Sequence, residues 1–126
     1  MNVFHSVASF QSTKKTIVTL GTFDGMHIGH QAILNKLKLQ KKIYGYETLV
    51  LTFFPHPRMV LKTDHQISLL NTIDERVKLI DHFGIDHLVV QEFTKEFANL
   101  SAEEFVKTVL VDQFNIGKII IGYDHR

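Results

Sequence analysis

Two histidines, His27 and His30, stand three residues apart in the stretch TLGTFDGMHIGH (residues 19–30), behind an apolar run and a glycine-containing turn. Imidazoles can ligate a metal, carry a proton or donate hydrogen bonds to a developing charge. At this spacing, at or just inside the start of a helix, both project toward one side. A helix N-terminus adds unsatisfied N–H groups and a partial positive charge, which together attract phosphate. Gly21 and Gly25 suit a tight turn, and Gly29 leaves out a side chain where something large and flat has to pass. Fixed donors help most when a nucleophile attacks phosphorus and charge builds on its oxygens. Such a transfer needs no covalent enzyme intermediate.

Two rival readings stand beside this one. Zinc is bound by imidazole, but it usually takes a third protein ligand; the chain has no cysteine, and the H-E-x-x-H pattern is absent. Alternatively, both histidines are capping or surface residues that fell at a helix start by chance. The full string of strand, G-x-F-D-G, H-x-G-H and helix start favours a nucleotide-phosphate site.

The surrounding pattern says what must hold that string. TIVTLG (16–21) reads as a short buried strand, preceded by a lead-in with one further short strand. From about Met26 to Tyr44 the spacing is helical, with Ile28 and Ala32, then Ile33 and Leu37, four apart and Gly45 as the stop. ETLVLTFF (47–54) is a second strand, ended abruptly by Pro55 and Pro57. Thr72 and Glu75 have capping-box spacing and open a helix carrying Ile73, Val77 and Ile80, which stops near Gly84. HLVVQEF (87–93) is a third strand. Ser101 and Glu104 repeat the capping box ahead of a stripe of Phe105, Val106, Val109 and Leu110, and KIIIG opens a fourth strand at Lys118. Alternating strands and helices predict an α/β fold, a doubly wound parallel sheet with helices on both faces. Ligands in such sheets sit at the carboxyl ends of the strands, near the switch point. GTFDGMHIGH, PHPR and GYDHR all fall there.

Composition bounds the rest. At 126 residues, 44% hydrophobic and with a net charge of +1, the chain is one domain with no basic stripe, so nucleic acid is not an expected partner. Lys36, Lys38, Lys41 and Lys42 read as the wet face of the first helix. The longest apolar run, LVLTFF, is far short of the ~20 residues of a membrane span, and no signal-peptide pattern opens the chain. The lack of cysteine suits a cytoplasmic location. The chain stops soon after its last strand, so we expect it to be part of a longer polypeptide. Phe53, Phe54, Phe83, Phe93, Phe97 and Phe105 read as core, and His5, His65, His82 and His87 as surface or interface residues.

GTFDGMHIGHQ resembles the H-x-G-H signature of the nucleotidyltransferase superfamily. LTFFPHPRMVL (51–61), LSAEEFV (100–106) and IIIGYDHR (119–126) are similar, in order, to successive blocks of the bacterial bifunctional riboflavin kinase/FMN adenylyltransferase family. The resemblance implies a Rossmann-like fold and the reaction of FMN with ATP to give FAD and pyrophosphate, with Mg²⁺ accompanying the ATP. It implies that His27 and His30 stabilise phosphate charge, and that Gly21, Thr22, Phe23 and Asp24 form the turn that meets ATP phosphate. Gly29 would leave room for adenine or ribose. Pro55, His56 and Pro57 belong to the flavin side, and Asp124 faces the substrates. Asp24 has an equally simple role as a turn residue capping its own backbone, and PHP as a strand stop with His56 in water. The family continues beyond GYDHR with an arginine-ended Ser/Thr motif and a separate riboflavin kinase domain, neither present here. The alternatives are a cytidylyltransferase or other small-substrate nucleotidyltransferase, or a flavin- or nucleotide-binding fragment without chemistry.

Overall fold

The computed structural model describes residues 1–21, 23, 28–53 and 73–121. These include five strands, β1 (Asn2–Phe4), β2 (Thr16–Leu20), β3 (Glu47–Phe53), β4 (His87–Gln91) and β5 (Ile116–Ile119). They form one sheet in the order β1-β4-β3-β2-β5, and every pairing is parallel. The helices are α1 (Ile28–Tyr44), α2 (Ile73–His82), the short α3 (Lys95–Ala98) and α4 (Ala102–Glu104), which continues as π-helical turns over Phe105–Gln113.

The strands are nearly continuous apolar and β-branched runs because both faces of the sheet are covered. Ile17, Val50, Leu88 and Val90 point to one side, where they pack with Leu34 and Leu37 of α1 and Ile80 of α2. Val18, Leu49, Leu51, Phe53 and Val89 point to the other, against Val7, Phe10, Val109, Leu110 and Phe114. Phe93, Phe97 and Phe105 extend this second core as partly buried rings, with Phe53 and Phe93 edge-on at 5.4 Å. The expected core aromatics therefore pack as expected wherever they are described.

Local signals place the helix ends. Gly45 takes φ 70° and donates its N–H to Lys41 O at 2.8 Å, closing α1 where the sequence predicted. Ser101 and Glu104 form both halves of their capping box, each bond 3.0 Å. Thr72 of the other predicted box lies outside the described residues.

Three expectations need correction. Val106 is 48% exposed rather than part of the apolar stripe. Phe105–Gln113 is wound as π-helical turns, in which the 3.6-residue spacing that defines the stripe does not hold. β5 begins at Ile116, two residues before the predicted Lys118, next to the start of β2. Lys41 is no free surface charge: its Nζ donates to both Asp86 oxygens at 2.6 and 2.7 Å.

Asp86 also accepts the Thr48 N–H at 2.9 Å and returns its own N–H to Thr48 Oγ1 at 2.9 Å. This ties the end of α1 to the starts of β3 and β4. Burial pushes the Asp86 carboxyl up, but the Lys41 hydrogen bond, the Thr48 N–H and the Lys41 charge outweigh it, leaving the pKa below the usual value. A carboxyl depressed in the fold stabilises above its unfolded pKa, and that contribution is lost as pH falls through the folded pKa. Thermal unfolding from pH 7 down to pH 3 is therefore expected to show a falling Tm that is shallower in Asp86→Asn; parallel profiles would contradict this.

Candidate active site at the carboxyl ends of three neighbouring strands

β3, β2 and β5 are consecutive neighbours in the sheet, with Leu20 opposite Leu51 and Val18 opposite Ile119. Adjacent strands lie about 4.8 Å apart, so their carboxyl ends fall within roughly 10 Å across the sheet. From β2 the chain moves outward to β3 and β4, then returns to place β5 on the other side of β2. The carboxyl end of β2 is thus the switch point, where open α/β sheets leave a crevice for ligands.

Gly21 leaves β2 with its N–H still bonded to Leu51 O at 3.0 Å. Phe23 then turns inward. Its backbone takes φ 54°, a left-handed conformation that strains a bulky residue, while its ring is only 1% exposed. The ring folds back over Gly21, where an added Cβ would come within 3.3 Å of it. On its other side it lies against the His30 imidazole, centroids 4.9 Å apart at 43°. His30 and Gly29 belong to the first turn of α1, which starts at Ile28. The half-buried His30 is thus seated on an aromatic ring beside the helix N-terminus. That end of α1 joins partial positive charge to an imidazole that can donate to anionic oxygen.

Of the residues the sequence singles out, the structure brings together Gly21, Phe23, Gly29 and His30. Thr22, Asp24, His27, Pro55, His56, Pro57 and Asp124 lie outside the described residues. Two contributors were not foreseen. One is the Phe23 side chain as the seat of His30; the other is Arg76 of α2, fully buried with Nη1 3.1 Å from Phe53 O. A phenylalanine amid turn residues was the available signal for the first. His87, expected at the surface or an interface, is half-buried, with Nε2 2.8 Å from Glu47 Oε1 and its ring 5.0 Å from Phe10. It lines a shallow cavity of about 280 Å³ beside the amino-terminal ends of the strands, away from the switch point. Among the described residues no three His, Asp or Glu side chains gather as a metal site, and no helix is long and apolar enough to cross a membrane.

The family model for FAD synthetase matches residues 9–126. The bifunctional riboflavin kinase/FMN adenylyltransferase of Buchnera aphidicola subsp. Schizaphis graminum is 38% identical over 109 residues, 86% of this chain and 35% of the relative. A Listeria monocytogenes FAD synthetase is 35% identical over 124 residues, 97% of this chain and 50% of the relative. The chain thus spans between about a third and a half of these relatives' length. In fold it is similar to a Streptococcus pneumoniae protein described as a macrolide-efflux protein (TM-score 0.84, 24% identity, 98% of this chain and 43% of that one). It is also similar to the pantoate-beta-alanine ligase of Francisella tularensis (TM-score 0.54, 14% identity, 79% of this chain and 38% of that one). With the family model covering nearly the whole chain and the H-x-G-H histidine His30 standing at the switch point of a parallel sheet, this chain belongs to the FAD synthetase family.

Proposed function

We propose that this chain is the FMN adenylyltransferase part of a FAD synthetase. A phosphate oxygen of FMN attacks the α-phosphorus of ATP, the bond to the β-phosphate oxygen breaks, and FAD and pyrophosphate leave. Mg²⁺ arrives with the ATP. The observation that carries this reading is His30, seated on Phe23 at the start of α1 beside the exits of β2, β3 and β5. An imidazole and a helix N-terminus at one point favour charge building on phosphate.

We assign His27 and His30 as the donors to the phosphates. The Gly21–Asp24 turn would meet ATP phosphate through its backbone, with Gly29 leaving room for the nucleoside. Pro55, His56, Pro57 and Asp124 would serve the flavin side. Phe23 contributes only its backbone there, since its ring is in the core. We further infer a cytoplasmic location, and a riboflavin kinase domain in the parent protein, since the bifunctional relatives are about three times as long as the matched region.

Chromatography of the chain incubated with FMN, MgATP and inorganic pyrophosphatase tests this. FAD is expected with ATP and not with CTP. CTP use without any flavin effect would replace the reading with a cytidylyltransferase. FMN or ATP binding without product would reduce the chain to a binding module.

A further inference from the structure

We propose that Arg76 is a positioning residue for the acceptor side of the site, acting through the carboxyl end of β3. The proposal rests on the adenylyltransferase reading, in which the acceptor is FMN. Arg76 has no exposed surface, and it is the single charged side chain in the buried class among the described residues. It rises from the first turn of α2 and reaches the carboxyl end of the central strand β3. Its Nη1 donates to Phe53 O at 3.1 Å and lies 3.4 Å from Thr52 Oγ1, itself fully buried. These are the last two residues of β3. Phe53 O belongs to the peptide that leads into residue 54, and Pro55, His56 and Pro57 follow in sequence.

Filling a core position needs no guanidinium; an apolar side chain of similar volume does it without the desolvation a buried cation incurs. The guanidinium holds its donors in a rigid fork, and one arm of it, Nη1, bonds both a carbonyl and a hydroxyl acceptor. Here those acceptors are the exit of the strand adjoining the switch-point strand β2. The carbonyl that closes β3 is therefore held from α2, not by the strand alone.

The test compares Arg76→Lys, which keeps the charge without the fork, with Arg76→Met, which keeps most of the volume. Amide hydrogen exchange over residues 47–57, 16–20 and 87–91 is read beside steady-state constants for FMN and ATP. In Arg76→Lys we expect faster exchange confined to 51–57. The KM for FMN should rise on the order of tenfold, with kcat falling less and the KM for ATP within about twofold. Arg76→Met should be at least as impaired toward FMN. A folded Arg76→Met with wild-type FMN constants, exchange rising evenly in all three strands, or FMN and ATP constants moving together would overturn the proposal. Should the wild-type chain use another acceptor, the FMN reading fails by itself. Exchange confined to 51–57 then still supports the positioning role, and even exchange overturns it.

Discussion

His30→Ala is expected to slow FAD formation on the order of a hundredfold or more, because one well-aimed donor to a developing oxyanion contributes about 3 kcal/mol to the transition state. Folding should change little by comparison, since His30 is only half-buried, in the first turn of α1. The loss should appear in kcat rather than in the KM for ATP, as for any interaction made chiefly in the transition state. His30→Gln, which retains a neutral donor, should recover part of the rate. His27→Ala is expected to behave like His30→Ala. A His30→Ala enzyme that keeps a near-wild-type rate at saturating substrate, with its circular dichroism unchanged, would remove His30 from the mechanism.

Phe23 gives the second large effect, and it comes with an unusual ranking. Truncating so deeply buried a ring to alanine should cost about 3–5 kcal/mol, a large share of the ~5–15 kcal/mol that holds a typical domain. Glycine normally destabilises more than alanine, but at φ 54° alanine retains a left-handed strain of roughly 1 kcal/mol that glycine escapes. Phe23→Gly should therefore unfold at higher urea than Phe23→Ala. Both should lose activity at temperatures where they remain folded, because His30 has lost its seat. If Phe23→Ala proves the more stable, the strained turn is wrong; if both keep full activity, the seat is unnecessary.

The sheet was legible because strands buried on both faces are written as short apolar runs, and IVTL, TLVLTF and HLVV are such runs. The helix stops were legible too, since Gly45 and the Ser101–Glu104 box act within one turn of chain. His30 at the start of a helix after the first long strand followed from the same local signals. Tertiary effects were not visible. Lys41 looked like its lysine neighbours, and only the fold brings Asp86 to it. Arg76 follows Glu75 in what reads as an ordinary charged turn, although it enters the core. Val106 was misplaced because nothing in its neighbourhood announces π-helical turns. Phe23 was read for its place in the turn, while its ring lies buried against His30.

The sheet order also governs how the chain can be assembled. Asn2 pairs with His87, and the Thr16 hydroxyl bonds Phe114 O 98 residues away, so few contacts of the frame are local. Mean sequence separation of this kind slows folding, because long loops must close before their contacts repay the closure. During synthesis at ~5–20 residues per second, β1 waits several seconds for β4 to exist. Meanwhile β2, β3 and α1 can form the unit that carries His30. The candidate catalytic turn is thus positioned to fold before β1 joins the sheet.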